Sequence, residues 1–241
     1  MDETLVSSIN KRYQYILARI AESAAGAGRE PGSVRLVVVS KSQPLEVVRA
    51  AVAAGITTFG ENYAEEAVAK IAAIRETTVE WHMIGHVQSR KADLVAANFA
   101  MLHSLDSLKL ARRLERSCNE LSRTLPVLLE FNVSGEESKF GFPAWKEENW
   151  HELESEVEQI LAFPHLRVCG LMTMPPYFDD PERTRLYFKQ LRHLQEFLAK
   201  RFPEENWKEL SMGTSVDFEA AIQEGATFVR IGQAILSSRA R

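Results

Sequence analysis

The sequence predicts an α/β fold: a (β/α)8 TIM barrel with an extra N-terminal helix. Three observations carry that expectation. The segment Arg35-Leu36-Val37-Val38-Val39-Ser40 is apolar on consecutive positions, as a strand buried on both faces of a parallel sheet must be. Strand-like and helix-like segments then alternate through eight units, the pattern of a closed barrel. No GxGxxG run follows the first strand, which disfavours an open doubly wound sheet.

The elements follow in order. Leu5, Ile9, Tyr13, Ile16, Leu17 and Ile20 form a stripe at helical spacing, so a helix is expected over residues 5–25, extra to the barrel and covering its lower end or flank. Pro44 opens a helix that Gly55 ends. Strands are expected near 35–40, 57–59, 80–84, 99–103, 126–132, 167–172, 208–211 and 227–231. Helices are expected near 44–54, 62–75, 89–97, 107–122, 145–161, 181–200 and 216–223, with a short one after 232. No Pro/Ser/Gly-rich linker divides the chain, so residues 1–241 are expected to be one domain, with the helix in 1–30 and the barrel in 34–236.

The chain has 241 residues, 45% of them hydrophobic and 26% charged, and a formal charge of −4. That composition excludes collagen-like and disordered classes. It gives no electrostatic case for duplex nucleic acid or an anionic membrane, although a local cluster of donors suffices for a small anion. Cys118 and Cys169 are too few for a disulfide framework or a CxxC metal site, and free thiols in a reducing compartment are expected. The acidic start Met1-Asp2-Glu3-Thr4 is no signal peptide. No apolar run approaches the ~18–20 residues needed to cross a bilayer. A cytoplasmic location is expected. His86, His103 and Asp106 match no metal-ligand spacing, and no metal is expected.

In such barrels the reactive groups sit at the C-terminal ends of strands and in the loops that follow. Lys41 directly follows the first strand. It is open to two readings: a lysine that snorkels to solvent, or an amine that forms a Schiff base with an aldehyde. Near the other end, Leu210-Ser211-Met212-Gly213-Thr214-Ser215 lies between a strand and a helix, offering hydroxyls, a close-approach glycine and helix N–H groups. Thr214 and Ser215 are equally suited to capping that helix. Arg230, between Val229 and Ile231, is placed by alternation on the barrel interior, where it needs an anion or acceptor. Gly232 and the following N–H complete a phosphate cradle of the kind built by the loops after strands seven and eight.

Seven motifs carry a family likeness: Val38-Val39-Ser40-Lys41, Phe59-Gly60-Glu61-Asn62-Tyr63, Trp81-His82-Met83-Ile84-Gly85-His86-Val87-Gln88, Phe131-Asn132-Val133-Ser134 with Glu137-Ser138-Lys139-Phe140-Gly141, Gly170-Leu171-Met172-Thr173-Met174-Pro175, Leu210-Ser211-Met212-Gly213 and Val229-Arg230-Ile231-Gly232. The chain resembles the pyridoxal phosphate (PLP) homeostasis proteins of the YggS/PROSC type, whose barrel is like that of alanine racemase, fold type III of PLP enzymes. The resemblance implies that Lys41 holds pyridoxal 5'-phosphate as an internal aldimine. It also implies that Ser211, Gly213 and the Gly232–Gln233 backbone bind the phosphate, and that Arg230 faces the pyridine nitrogen. A guanidinium accepts no proton, so in that place it keeps the ring unprotonated. Asn62 and His82 are expected to line the ring, and Met172 to supply an apolar floor. Two positions depart from the family: Gln233 stands where Thr or Ser is usual, and Arg90 where Asn is common.

The implied function is intracellular PLP homeostasis without established turnover, with PLP-dependent apo-enzymes as recipients. The alternative is a PLP-dependent amino-acid racemase. Racemisation needs a second acid/base group, which alanine racemases take from a further domain of a partner chain. This chain stops soon after Arg230, which favours the carrier and, with it, a monomer. Lys139 is either a transient second contact for PLP or a surface lysine paired with Glu137.

Overall fold

The computed structural model describes residues 2–237. Eight parallel strands follow one another around a closed barrel: β1 (Arg35–Val39), β2 (Thr58–Glu61), β3 (Glu80–Met83), β4 (Met101–Leu105), β5 (Leu125–Asn132), β6 (Leu166–Met172), β7 (Glu209–Ser211) and β8 (Phe228–Ile231). Each pairs with its sequence neighbours. β1 closes on β8 with Val37 opposite Arg230, and β4 meets β5 with Leu102 opposite Val127. A two-residue strand, Phe142–Pro143, adds to the end of β5. The eight-stranded barrel is the architecture the sequence predicts.

The helices are α1 (Glu3–Gly26), α2 (Leu45–Ala53), α3 (Ala64–Ala73), α4 (Ala92–Asn98), α5 (Leu108–Glu120), α6 (Glu154–Leu161), α7 (Arg185–Arg201), α8 (Phe218–Gln223) and α9 (Gln233–Leu236). Asp2 starts α1 by accepting from the N–H groups of Thr4 and Leu5, satisfying two donors that a helix start leaves without partners. Its buried face is Ile9, Ile16, Ile20 and Ala24, the stripe legible in the sequence. That face packs on α2, α8 and α9, over the flank where the last and first units meet. Arg12 Nε donates to the Ile235 carbonyl at 2.6 Å and Arg19 pairs with Glu219 at 2.9 Å, tying α1 to the same flank.

The expected helices over 89–97 and 181–200 each open with a 3-10 turn, Ser89–Lys91 and Pro181–Thr184, and two further stretches differ from expectation. β4 begins at Met101 and not at 99, because Asn98 ends α4 and Ala100 N–H is the first group to bond to β3, at the Trp81 carbonyl. His103 therefore lies within the strand, fully buried, and is not at its mouth. The expected helix over 145–161 is a 3-10 segment, Glu147–Leu153, followed by α6. Trp150 Nε1 donates to the Ala144 carbonyl and holds that segment tight.

The core has two compartments. A large one lies between strands and helices, and a small one fills the barrel with Val37, Met101, Leu128, Cys169, Met172 and Phe228. Both cysteines are free and buried. Among the described residues no helix is long and apolar enough to cross a membrane.

Candidate functional site

A cleft of about 900 Å³ opens at the C-terminal mouth of the barrel. Lys41 lines it, exposed, two residues beyond the end of β1. The backbone there is constrained: Ser42 has φ 58°, the left-handed region that a residue with a Cβ rarely enters. Three contacts hold the turn. Ser42 N–H donates to Glu66 Oε1 at 2.8 Å, Gln43 N–H to the Ser40 carbonyl at 3.1 Å, and Lys70 Nζ to that same carbonyl at 2.7 Å.

Lys70 is itself buried between two carboxylates, 2.8 Å from Glu61 Oε1 and 2.6 Å from Glu66 Oε1. Ser40 Oγ donates to Glu61 at 2.6 Å. Burial pushes the Glu61 carboxyl up from its ordinary range, against the pull of Lys70 and Ser40. Glu61 Oε2 has no hydrogen-bond partner among the described residues.

Arg230 forms the cleft floor from β8 and is almost wholly buried. It donates to Ser211 Oγ at 2.5 Å, to the Thr173 carbonyl at 3.0 Å and to Met174 Sδ at 2.8 Å. Burial pushes its pKa down to about 10, with Glu130 and Asp217 opposing, so it remains a cation at neutral pH. Glu130, also lining the cleft, is pushed up to about 7, chiefly by burial and then by Asp106.

Opposite ends of the chain's last units meet beside Arg230. Thr214, Ser215 and Val216 border the cleft together with Gly232 and Gln233. Thr214 turns inward, its N–H and hydroxyl both donating to Asp217 Oδ1. No side chain caps α9. Its Ile235 and Leu236 N–H groups donate to the Gly232 carbonyl, and those of Gln233 and Ala234 remain for an anion. Gly232 is required by space: a Cβ there would lie 2.7 Å from the Val39 carbonyl, on the strand that carries Lys41. Gly213, at φ +94°, would bring a Cβ to 2.6 Å from Ala221 Cβ.

Of the residues singled out in the sequence, Lys41, Asn62, Arg230, Gly232 and Gln233 line the cleft together. Gly213 supports it from below, its carbonyl accepting from Arg230 N–H. His82, Met172 and Ser211 are buried in the barrel and do not border the cleft. The Ser211 hydroxyl is engaged inward, by Arg230 and His103. Lys139 borders the cleft and donates to the Pro175 carbonyl at 3.4 Å, not to Glu137. His86 stacks on Phe140 with centroids 3.7 Å apart, its Nδ1 2.7 Å from Asp106 Oδ2, on the same wall.

The family described as the alanine racemase N-terminal domain matches residues 17–239. A pyridoxal phosphate homeostasis protein of Vibrio alginolyticus is 40% identical over 242 residues, 97% of this chain and 99% of that one. Another, of Aquifex aeolicus, is 38% identical over 229 residues, 95% of this chain and 97% of that one. The chain belongs to the pyridoxal phosphate homeostasis protein family. Among solved structures, PipY of Synechococcus elongatus PCC7942 without PLP has a TM-score of 0.80 and with PLP bound 0.78, each at 34% identity over 90% of this chain and 100% of that one. Alanine racemase from Streptomyces coelicolor A3(2) shares the fold, with a TM-score of 0.70 at 16% identity over 95% of this chain and 58% of that one.

Two parts of this homeostasis-protein barrel escaped the sequence reading. One is the Lys70–Glu61–Glu66 cluster beneath Lys41. Its only sequence signal is a lysine four residues after a glutamate on a helix face that also carries Ala67. The other is the chain of buried polar groups behind Arg230: Ser211, His103 and His82 are each visible in the sequence, but no spacing links residues scattered over three strands.

Proposed function

We propose that this protein binds pyridoxal 5'-phosphate in the cleft at the barrel mouth and takes part in intracellular PLP homeostasis. PLP brings an aldehyde that condenses with a primary amine, a phosphate dianion and a basic ring nitrogen. The cleft offers a group for each. Lys41 is the amine. The N–H groups at Gly232–Gln233, at the start of α9, and those of the facing Ser215 loop receive the phosphate. Arg230 meets the ring nitrogen as a donor that cannot protonate it. The single observation that carries this reading is the convergence of an exposed strand-end lysine, a buried arginine and the uncapped start of α9, facing Thr214–Val216, in one cleft. Gln233 costs the cradle no backbone contact, since a main-chain N–H is the same under any side chain.

The pathway we propose runs from this protein to PLP-dependent apo-enzymes in the cytoplasm, with the protein acting as a monomer. Tyr63, Phe140, Met174, Tyr177 and Val216 are exposed apolar residues around the cleft, and a recipient protein would meet them first. The test is transfer. Purified protein loaded with PLP and freed of excess should turn yellow, then activate an apo-enzyme while losing colour. Failure to retain PLP through gel filtration would refute binding. Amino-acid racemisation at ordinary enzyme rates, lost in Lys41→Ala, would replace the carrier function with a catalytic one.

A further inference from the structure

Behind Arg230 a line of buried polar groups crosses the barrel. Ser211 Oγ is 2.8 Å from His103 Nδ1. His103 Nε2 is 3.0 Å from His82 Nδ1. His82 Nε2 then lies 3.7 Å from Glu80 Oε2, at the N-terminal end of β3 and so at the opposite rim. Ser211 and His103 are fully buried and His82 is nearly so.

Proton bookkeeping gives this line a direction. A guanidinium only donates, so Arg230 sets Ser211 Oγ as its acceptor. The single hydroxyl proton of Ser211 must then go to His103 Nδ1. The opposite assignment would leave a buried O–H with no acceptor among the described residues, and such groups are costly. His103 is neutral: burial, helped by the nearby Arg230 cation, pushes its pKa well below the usual histidine range. Its one proton therefore sits on Nε2 and is donated to His82 Nδ1. His82 in turn carries its proton on Nε2, toward the Glu80 carboxylate, and His82 holds that carboxyl below its usual range. Every donor points the same way, from the cation at the cleft to the carboxylate at the far rim.

We infer that His103 and His82 are positioning residues for Arg230: the chain through Ser211 fixes both imidazoles with their protons on Nε2 and holds the guanidinium as a donor at the cleft floor. Three of the five N–H groups of Arg230 are engaged, by Ser211, Thr173 and Met174, which leaves two for a ligand. The line carries no net proton to the cleft, because Arg230 cannot accept one. It sets orientation and polarity instead. Its consequence for the cofactor rests on the proposed PLP site, where a fixed donor keeps the ring nitrogen unprotonated. Its geometry does not depend on that site.

The test is nitrogen NMR on the 15N-labelled protein, with signals assigned through His82→Gln and His103→Gln. In the protein without PLP, both imidazoles should be neutral with the proton on Nε2. A proton on Nδ1 of either one overturns the inference, whatever the protein binds. Adding PLP should shift the His82 signals although His82 does not border the cleft. That response should vanish in Ser211→Ala and return in Ser211→Thr. A PLP-loaded wild type whose His82 signals stay unmoved also overturns the inference. Loss of the Ser211 contact should weaken PLP retention about tenfold, as a charge-assisted hydrogen bond does. If the wild type takes up no PLP, the proposed function fails, and the imidazole protons alone decide the chain.

Discussion

Lys70 Nζ lies 2.7 Å from the backbone carbonyl of Ser40, the residue before Lys41. A buried ammonium from α3 thus anchors the turn that presents the exposed one. With Ser42 in the left-handed region, this turn needs external contacts to persist, and Lys70 with Glu66 provides them.

Replacing that anchor should be costly. In Lys70→Met, Glu61 keeps a buried charge with only Ser40 to answer it, and the loss from breaking such a pair is about 3–5 kcal/mol. The expected outcome is a large drop in urea midpoint. In the fraction that stays folded, Lys41 should react more slowly with PLP. The double variant Lys70→Met with Glu61→Gln should recover most of the stability, as paired removal of a buried ion pair does. A double variant no more stable than the single one would contradict this account of the cluster.

Gly232 sits between the cradle and β1. In Gly232→Ala the new methyl meets the Val39 carbonyl, and overpacking of this kind costs about 1–3 kcal/mol. The barrel should survive, since the strain is local. PLP affinity should fall, because β1 and the start of α9 must separate. Circular dichroism and a PLP titration on the same sample separate the two effects.

Glu130 gives stability a pH dependence with a definite sign. Its carboxyl is raised to about 7 from 4.5. Below pH 4.5 it is protonated in both folded and unfolded chains and contributes nothing. Between 4.5 and about 7 the unfolded chain loses its proton first, so stability falls as pH rises. The penalty is on the order of 3 kcal/mol at most, and it is complete above pH 7. Glu130→Gln should therefore raise the urea midpoint at pH 8 and leave it unchanged at pH 4. An equal shift at both values would show that packing, not ionisation, is responsible.

His103 acts in the opposite sense. Its folded pKa is depressed below 6.5, so its contribution is fully present above that value. As pH falls below 6.5 the unfolded chain takes up a proton that the folded one refuses, and stability drops. His103→Gln should flatten this acid limb in thermal melts between pH 6.5 and 5. A limb of unchanged slope would assign it to other groups.

The barrel was legible because its strands are short, β-branched runs whose burial on both faces removes the usual alternation. The stripe Ile9, Ile16, Ile20 likewise announced α1. Strand ends were less legible. Phe99 is as apolar as any residue of β4, and only the bond from Ala100 to Trp81 shows where pairing begins. That shift of two residues moved His103 from the mouth into the core. Lys41 and Arg230 stood out by their positions against apolar runs. The role of Ser211 did not, because a hydroxyl at a strand end suits a phosphate and an interior histidine equally well. Lys70 was hidden for a similar reason: a lysine on a helix reads as solvated until its acceptors, Glu61 and the Ser40 carbonyl, are seen beside it.

The central claim is that Lys41 is the residue through which this protein holds PLP. Borohydride reduction of the PLP-loaded protein, followed by peptide mass spectrometry, tests it directly. A single dominant phosphopyridoxyl adduct on the peptide containing Lys41, absent in Lys41→Ala, is the predicted result. A dominant adduct on Lys139 or another lysine, unchanged in Lys41→Ala, would contradict it.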